Sequence, residues 1–235
     1  MSHRRGFTLI ELMVVMAVIA ILAVLVMPLI NSSIRSAERA TCLSNVRNLY
    51  QALMGYVSNW DNFYPNLDIN YDTDWRWPTP NHCWNPVFNE SIDALGKKVK
   101  FCPANDYSEW HPRMGRDWGI YSMGYCIYSG RSIHFYKEQE GSKYLPGATP
   151  GRAAPDSIMI TDLVRTWDGK WTRQGLNINN HYESRTYAPL GGHCCFADGN
   201  ARWTPADELD WDKFYQEYPG NPKDRGWTFC LGFRR

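Results

Sequence analysis

Between Leu12 and Ile30 the chain runs nineteen residues without a charged or hydrogen-bonding side chain, and no other feature restricts its fold so strongly. As an α-helix rising about 1.5 Å per residue, the run is ~28 Å long, close to the ~30 Å hydrocarbon core of a bilayer. Arg4 and Arg5 precede it, and no comparable positive cluster follows closely. The positive-inside rule then predicts one pass, with a cytoplasmic N-terminus and everything after Asn31 exported.

Three kinds of segment share this appearance. A secretory signal has a shorter apolar stretch and a small-residue cleavage site, whereas Met27-Pro28-Leu29-Ile30-Asn31-Ser32 offers no Ala-x-Ala-like site. A plain anchor leaves Glu11 unexplained, because a carboxylate in a spanning helix costs about 2.5–3.5 kcal/mol near the centre and less near an end. The third kind is cut between Gly6 and Phe7. The new α-amino group on Phe7 is then a cation one helical turn from Glu11, and in low dielectric the two neutralise each other, within one subunit or between neighbours.

Arg5-Gly6-Phe7-Thr8-Leu9-Ile10-Glu11-Leu12 followed by a long apolar run resembles the class III signal of type IV pilins and type II secretion pseudopilins. The resemblance implies a leader of residues 1–6, cleavage after Gly6 by a prepilin peptidase/methyltransferase, N-methylation of Phe7 by the same enzyme, and Glu11 as the assembly carboxylate. Pro28 falls where many of these proteins carry a proline; lacking an N–H and clashing with the preceding turn, it marks an expected kink or melting point. The implied partners are other pilin or pseudopilin subunits, an inner-membrane assembly platform, and membrane lipid before assembly.

Removing residues 1–6 lowers Lys+Arg from 25 to 23 against 24 acids, a balance that does not favour nucleic-acid binding. Roughly 175 residues remain after the N-terminal helix, enough for one exported domain with its own core. All eleven tryptophans lie at or after Trp60, among frequent Pro, Gly, Asn and Asp, which suits a loop-rich β domain. The fold class expected is α+β: a long N-terminal helix packed on a loop-rich antiparallel β domain, pilin-like. Residues 7–30 form its membrane and assembly half, 31–60 its amphipathic continuation, and 61–235 the globular domain. Seven cysteines lie outside the membrane segment, and an exported domain can oxidise them into one to three disulfides.

Leu43, Val46, Tyr50, Leu53, Val57 and Trp60 recur at intervals of three and four, predicting one apolar stripe on a helix that runs to about Asn59. A short helix is expected near Asn89 to Gly96. Strands are expected at Tyr121–Tyr128, Ser157–Leu163, His193–Ala197 and Asn200–Trp203, the last two joined by a tight turn with Asp198-Gly199 at its centre.

Cys42-Leu-Ser-Asn-Val-Arg-Asn-Leu, Asp61-Asn-Phe-Tyr-Pro, Phe101-Cys-Pro, Tyr121-Ser-Met-Gly-Tyr and Phe196-Ala-Asp-Gly-Asn-Ala-Arg-Trp203 occur in that order. Together they resemble the pseudopilin-like family named for a His, nine residues, then Asp-Gly. Here sixteen residues separate His181 from Asp198 and four separate His193 from it, so no histidine has the family spacing. Either His181 is the equivalent, with a seven-residue insertion, or the histidine is absent.

Asp162, Asp168, Asp198 and Asn200 are candidate calcium donors, since calcium takes six to eight oxygens and some pseudopilins hold it in C-terminal loops. The simpler reading of Asp198-Gly199 is a turn that needs those residues for its backbone angles. On a strand His193 and Cys195 share one face and Cys194 takes the other, which favours structural cysteines over a Cys–His nucleophile. Trp75, Trp77, Trp84, Trp110, Trp118 and Trp171 fall in loop-like chain and could stack on sugars, or cover a small core from outside. No complete nucleophile–base set is recognisable. The reading is an assembly subunit rather than an enzyme, with a membrane-anchored glycan-binding module as the alternative.

Overall fold

The computed structural model describes residues 8–65, 67, 82–83, 85–105, 121–122, 124–129, 153–167, 169–173, 176–211, 214–216, 227–230 and 233. Helix α1 spans Leu9–Asn59 and α2 spans Pro86–Ala94, followed by a 3-10 turn at Lys97–Lys100. Twelve strands are described, most of them short: β1 (His82–Cys83), β2 (Tyr121–Ser122), β3 (Tyr125–Ile127), β4 (Ile158–Asp162), β5 (Arg165–Trp167), β6 (Thr172–Arg173), β7 (Leu176–Asn177), β8 (His181–Tyr182), β9 (Pro189–Phe196), β10 (Ala201–Pro205), β11 (Phe214–Gln216) and β12 (Trp227–Cys230). The α+β class is as the sequence reading has it: one long helix, then antiparallel sheet.

The chain divides into two compact units, Met1–Glu38 and Arg39–Arg235. In the first, the large apolar side chains from Leu9 to Ile34 are all exposed on the single chain. This is the one described helix long and apolar enough to cross a membrane. Its helical assignment continues through Pro28.

In the second unit the remaining turns of α1 lie on a sheet ordered β10-β9-β4-β3, with β8 added to β9. Cys42, Val46, Leu49, Leu53 and Val57 form the buried stripe of α1. They join Phe88 and Ile92 of α2 and Tyr125, Ile127, Met159, Ile160 and Cys195 of the sheet in one cluster. Cys126, Tyr128, Ile158, Cys194 and Phe196 build a second cluster with Leu163, Val164, Ile178, Leu209 and Phe233. With apolar matter on both faces, β9 loses the alternation of a half-exposed strand and is almost wholly buried.

The stripe differs from expectation at three positions, the first being Leu43, which is only partly buried while Cys42 beside it fills the core. Leu49 is fully buried whereas Tyr50 is only half-buried, because its hydroxyl leaves the core to donate to the Ala197 carbonyl at 2.8 Å. Trp60 lies beyond the last helical residue and is half-exposed, stacked on Tyr56 at 5.5 Å. Asp61 and Asn62 follow with positive φ, which ends the helix. Helix α2 starts earlier than expected because Asn85 caps it, accepting from the Phe88 N–H at 2.9 Å, with Pro86 in the first turn.

The expected Tyr121–Tyr128 strand divides into β2 and β3, which join different sheets. The β9–β10 hairpin forms as expected, but with a three-residue connection. Gly199 N donates to Phe196 O, and Phe196 N to Asn200 O, so Ala197-Asp198 take the central positions and Gly199 follows at φ +81°. The Asp198 carboxylate caps its own turn by accepting from Asn200 N at 2.9 Å. One disulfide is described, Cys42–Cys102, tying α1 to the segment before β2.

Candidate functional site

Two places concentrate chemistry. At the start of α1, Thr8 and Glu11 form a reciprocal cap. The Thr8 hydroxyl accepts from Glu11 N at 3.3 Å, while Glu11 Oε2 accepts from Thr8 N at 2.8 Å and from the Thr8 hydroxyl at 2.7 Å. This is the capping-box arrangement, and it satisfies donors that a helix start otherwise leaves open. Glu11 therefore has a local partner before any cut is made. Gly6 and Phe7 lie outside the described residues, as does the side chain of Pro28.

The second place lies under the β10 end of the main sheet. Thr161 pairs with Cys194, so Asp162 on β4 comes level with His193 on β9, and β8 brings His181 to the start of β9. All three side chains are buried, Asp162 completely. Asp162 Oδ2 accepts from the backbone N–H of His193 at 2.7 Å and lies 2.8 Å from His193 Nδ1. With the carboxylate ionised, that ring nitrogen is the donor. His181 Nε2 stands 3.5 Å from the same oxygen and 3.6 Å from Cys102 Sγ.

The other carboxylate oxygen is held from behind. Asn180 Nδ2 donates to Asp162 Oδ1 at 2.9 Å and to the Gly124 carbonyl at 2.7 Å, and Asn180 Oδ1 accepts from Asn105 at 2.9 Å. Burial alone would push the Asp162 carboxyl up. The hydrogen bonds and charge of His181 and His193 outweigh it and hold the carboxyl well below the usual range.

Trp203 closes the cluster. Its ring stands edge-to-face to His181 at 5.1 Å and to His193 at 5.0 Å, and the Arg39 guanidinium lies 4.4 Å over it. Gly191 makes room for the indole: at φ +144°, a Cβ there would lie 2.6 Å from Trp203 and 2.4 Å from the Thr204 carbonyl.

The sequence candidates scatter across this frame. Asp162 sits at the centre of the cluster, Asp198 and Asn200 sit at the hairpin turn beyond β9, and Asp168 lies outside the described residues. Among the described residues, two triads of His, Cys or acidic donors are close enough to share a metal: Asp162–His181–His193 and Cys42–Cys102–His181. The sulfurs of the second are tied in the disulfide. His193 has an orienting partner in Asp162. Two residues on, burial pushes the Cys195 thiol up to about 12, far from a reactive thiolate. Of the tryptophans, Trp171 meets Trp211 edge-on at 5.3 Å, while Trp75, Trp77, Trp84, Trp110 and Trp118 lie outside the described residues.

Residues 1–27 match the family model described as the prokaryotic N-terminal methylation motif. The chain is prepilin-like. That motif goes with peptidase processing, and the apolar half of α1 gives the described residues one segment able to anchor the chain in a membrane. No curated protein and no solved structure matches the chain.

Proposed function

We propose that this prepilin-like chain is a structural subunit of a type IV pilus-like or type II secretion pseudopilus fibre. Prepilin peptidase removes Met1–Gly6, methylates Phe7, and leaves the subunit in the inner membrane with its C-terminal domain exported. The observation that carries the reading is the exposed apolar surface from Leu9 to Ile34, most of it within the methylation-motif match and with Glu11 in its first turn. A continuous apolar surface of this size needs lipid or like helices around it. Lipid and helix neighbours are equally apolar, so packing and a polar contact must supply direction and register during assembly. Glu11 supplies that contact by exchanging its Thr8 cap for the Phe7 amine of its own or a neighbouring subunit.

The test uses the native host. Gly6→Leu should leave full-length precursor, read by intact mass. Glu11→Val should give a cut, membrane-inserted chain missing from sheared fibres. Natural protein that still carries Met1–Gly6 would sink the proposal, as would Glu11→Val fibres at wild-type yield. The same experiments separate this reading from the alternative, an anchored binding module, which has no need of Glu11 for its work. For that alternative, Trp60 and Phe63 offer exposed aromatic surface.

A further inference from the structure

We propose that Asp162, His181 and His193 form a binding site for a divalent first-row transition metal ion such as zinc, inside the exported domain. The site is independent of the assembly segment.

The first support is convergence. One donor atom from each of the three residues lies within 4.8 Å of the others, although they come from β4, β8 and β9. Zinc binds imidazole nitrogen and carboxylate oxygen at about 2.0–2.2 Å, which places neighbouring ligands roughly 3.3–3.5 Å apart in a tetrahedron. His181 Nε2 and Asp162 Oδ2 already stand 3.5 Å apart. His193 Nδ1, at 2.8 Å, is drawn closer by the hydrogen bond that a metal would replace. Two imidazoles and one carboxylate suit zinc and its neighbours, and they are a poor set for calcium, which takes oxygen.

The second support is the shell around the donors. Asn180, itself held by Gly124 and Asn105, takes Asp162 Oδ1 and turns Oδ2 toward the rings. Outer hydrogen bonds of this kind orient ligating carboxylates in metal sites. Trp203 stands edge-to-face to both rings, and both are buried. Register shifts beside β9, between Ile158 and Ile160 in β4 and between His181 and Tyr182 in β8, re-aim the strands that carry two of the ligands.

The third support is charge. Among the described residues, the ionic partners of Asp162 are these two histidines. A buried carboxylate needs a cation beside it. A metal held by both rings, each bound as neutral imidazole, provides one.

The experiment uses the full chain in detergent, purified without reductant and stripped with a chelator. Added zinc should be retained at one ion per chain and raise the melting temperature by roughly 5 °C or more. Cobalt in its place should give a spectrum without thiolate charge transfer, and X-ray absorption at the zinc edge should read imidazole and oxygen with no sulfur. His181→Gln should lose the retained ion, while Asp198→Asn should keep it. If His181→Gln fails to fold, the absorption edge of the wild-type chain still decides the ligands. Zinc and cobalt that are neither retained nor stabilising would overturn the proposal. So would sulfur ligation, or uptake only after reduction, which would assign the metal to Cys42, Cys102 or another thiol.

Discussion

Asp162 meets His193 twice through one oxygen: Oδ2 takes both the backbone N–H, at 2.7 Å, and the ring Nδ1, at 2.8 Å. The doubled contact locks two adjacent strands at a point where neither residue touches solvent. Removing the charge from one member of a buried pair costs about 3–5 kcal/mol, because the remaining partner keeps its desolvation cost without its counterpart. Asp162→Asn should therefore lower the unfolding free energy by about 3 kcal/mol in urea titrations of the metal-free chain. A loss under about 1 kcal/mol would mean the pair carries no charge.

The Cys42–Cys102 bridge closes a loop of 60 residues between α1 and the segment leading into the sheet. Restricting the unfolded chain over that length is worth about 4 kcal/mol in the loop-entropy relation. The double change Cys42→Ser with Cys102→Ser should cost an amount in that range. Reductant should destabilise the wild-type chain by more than it does the double variant.

Gly191→Ala tests the seat of Trp203. The added carbon would meet the Thr204 carbonyl at 2.4 Å and the indole at 2.6 Å, on a backbone whose φ of +144° disfavours any side chain. Overpacking and strain together should cost roughly 3 kcal/mol. Trp fluorescence should shift as the indole is pushed off the two histidines. An unchanged melting temperature would show that β9 and β10 can part freely at this point.

Alkaline stability should be limited by buried tyrosine. Burial of Tyr64 pushes its phenol from 10.0 up to about 12. The unfolded chain releases this proton first, so stability is intact below pH 10 and falls through the window up to about 12. The slope from this one group is at most about 1.4 kcal/mol per pH unit. The hydroxyl's hydrogen bond runs to the Met159 sulfur at 3.7 Å, a weak acceptor, so Tyr64→Phe should cost little at neutral pH. It should also flatten the decline above pH 10, measured by thermal melts at stepped pH.

Much of α1 is legible residue by residue. An apolar run of bilayer length, then apolar residues every three or four, needs no tertiary information to be read as one helix. Its face was misplaced by one residue at two places: Tyr50 turns outward to reach Ala197 and Leu49 fills the core instead, and Cys42, tied in the disulfide, is buried where Leu43 was expected. The β9–β10 hairpin was legible because Gly199 takes the positive φ its turn demands. The two-residue strand β8 was not, since two residues carry no period, and His181 came with it.

From sequence alone follow the membrane helix, the processing signal and the β9–β10 hairpin, because each depends on neighbours within a few positions of the chain. Only the tertiary structure could decide that Asp162, His181 and His193 share one buried space beneath Trp203. Their meeting depends on which strands pair and in what register, and such pairings are won by burying two apolar faces at once rather than by any local pattern.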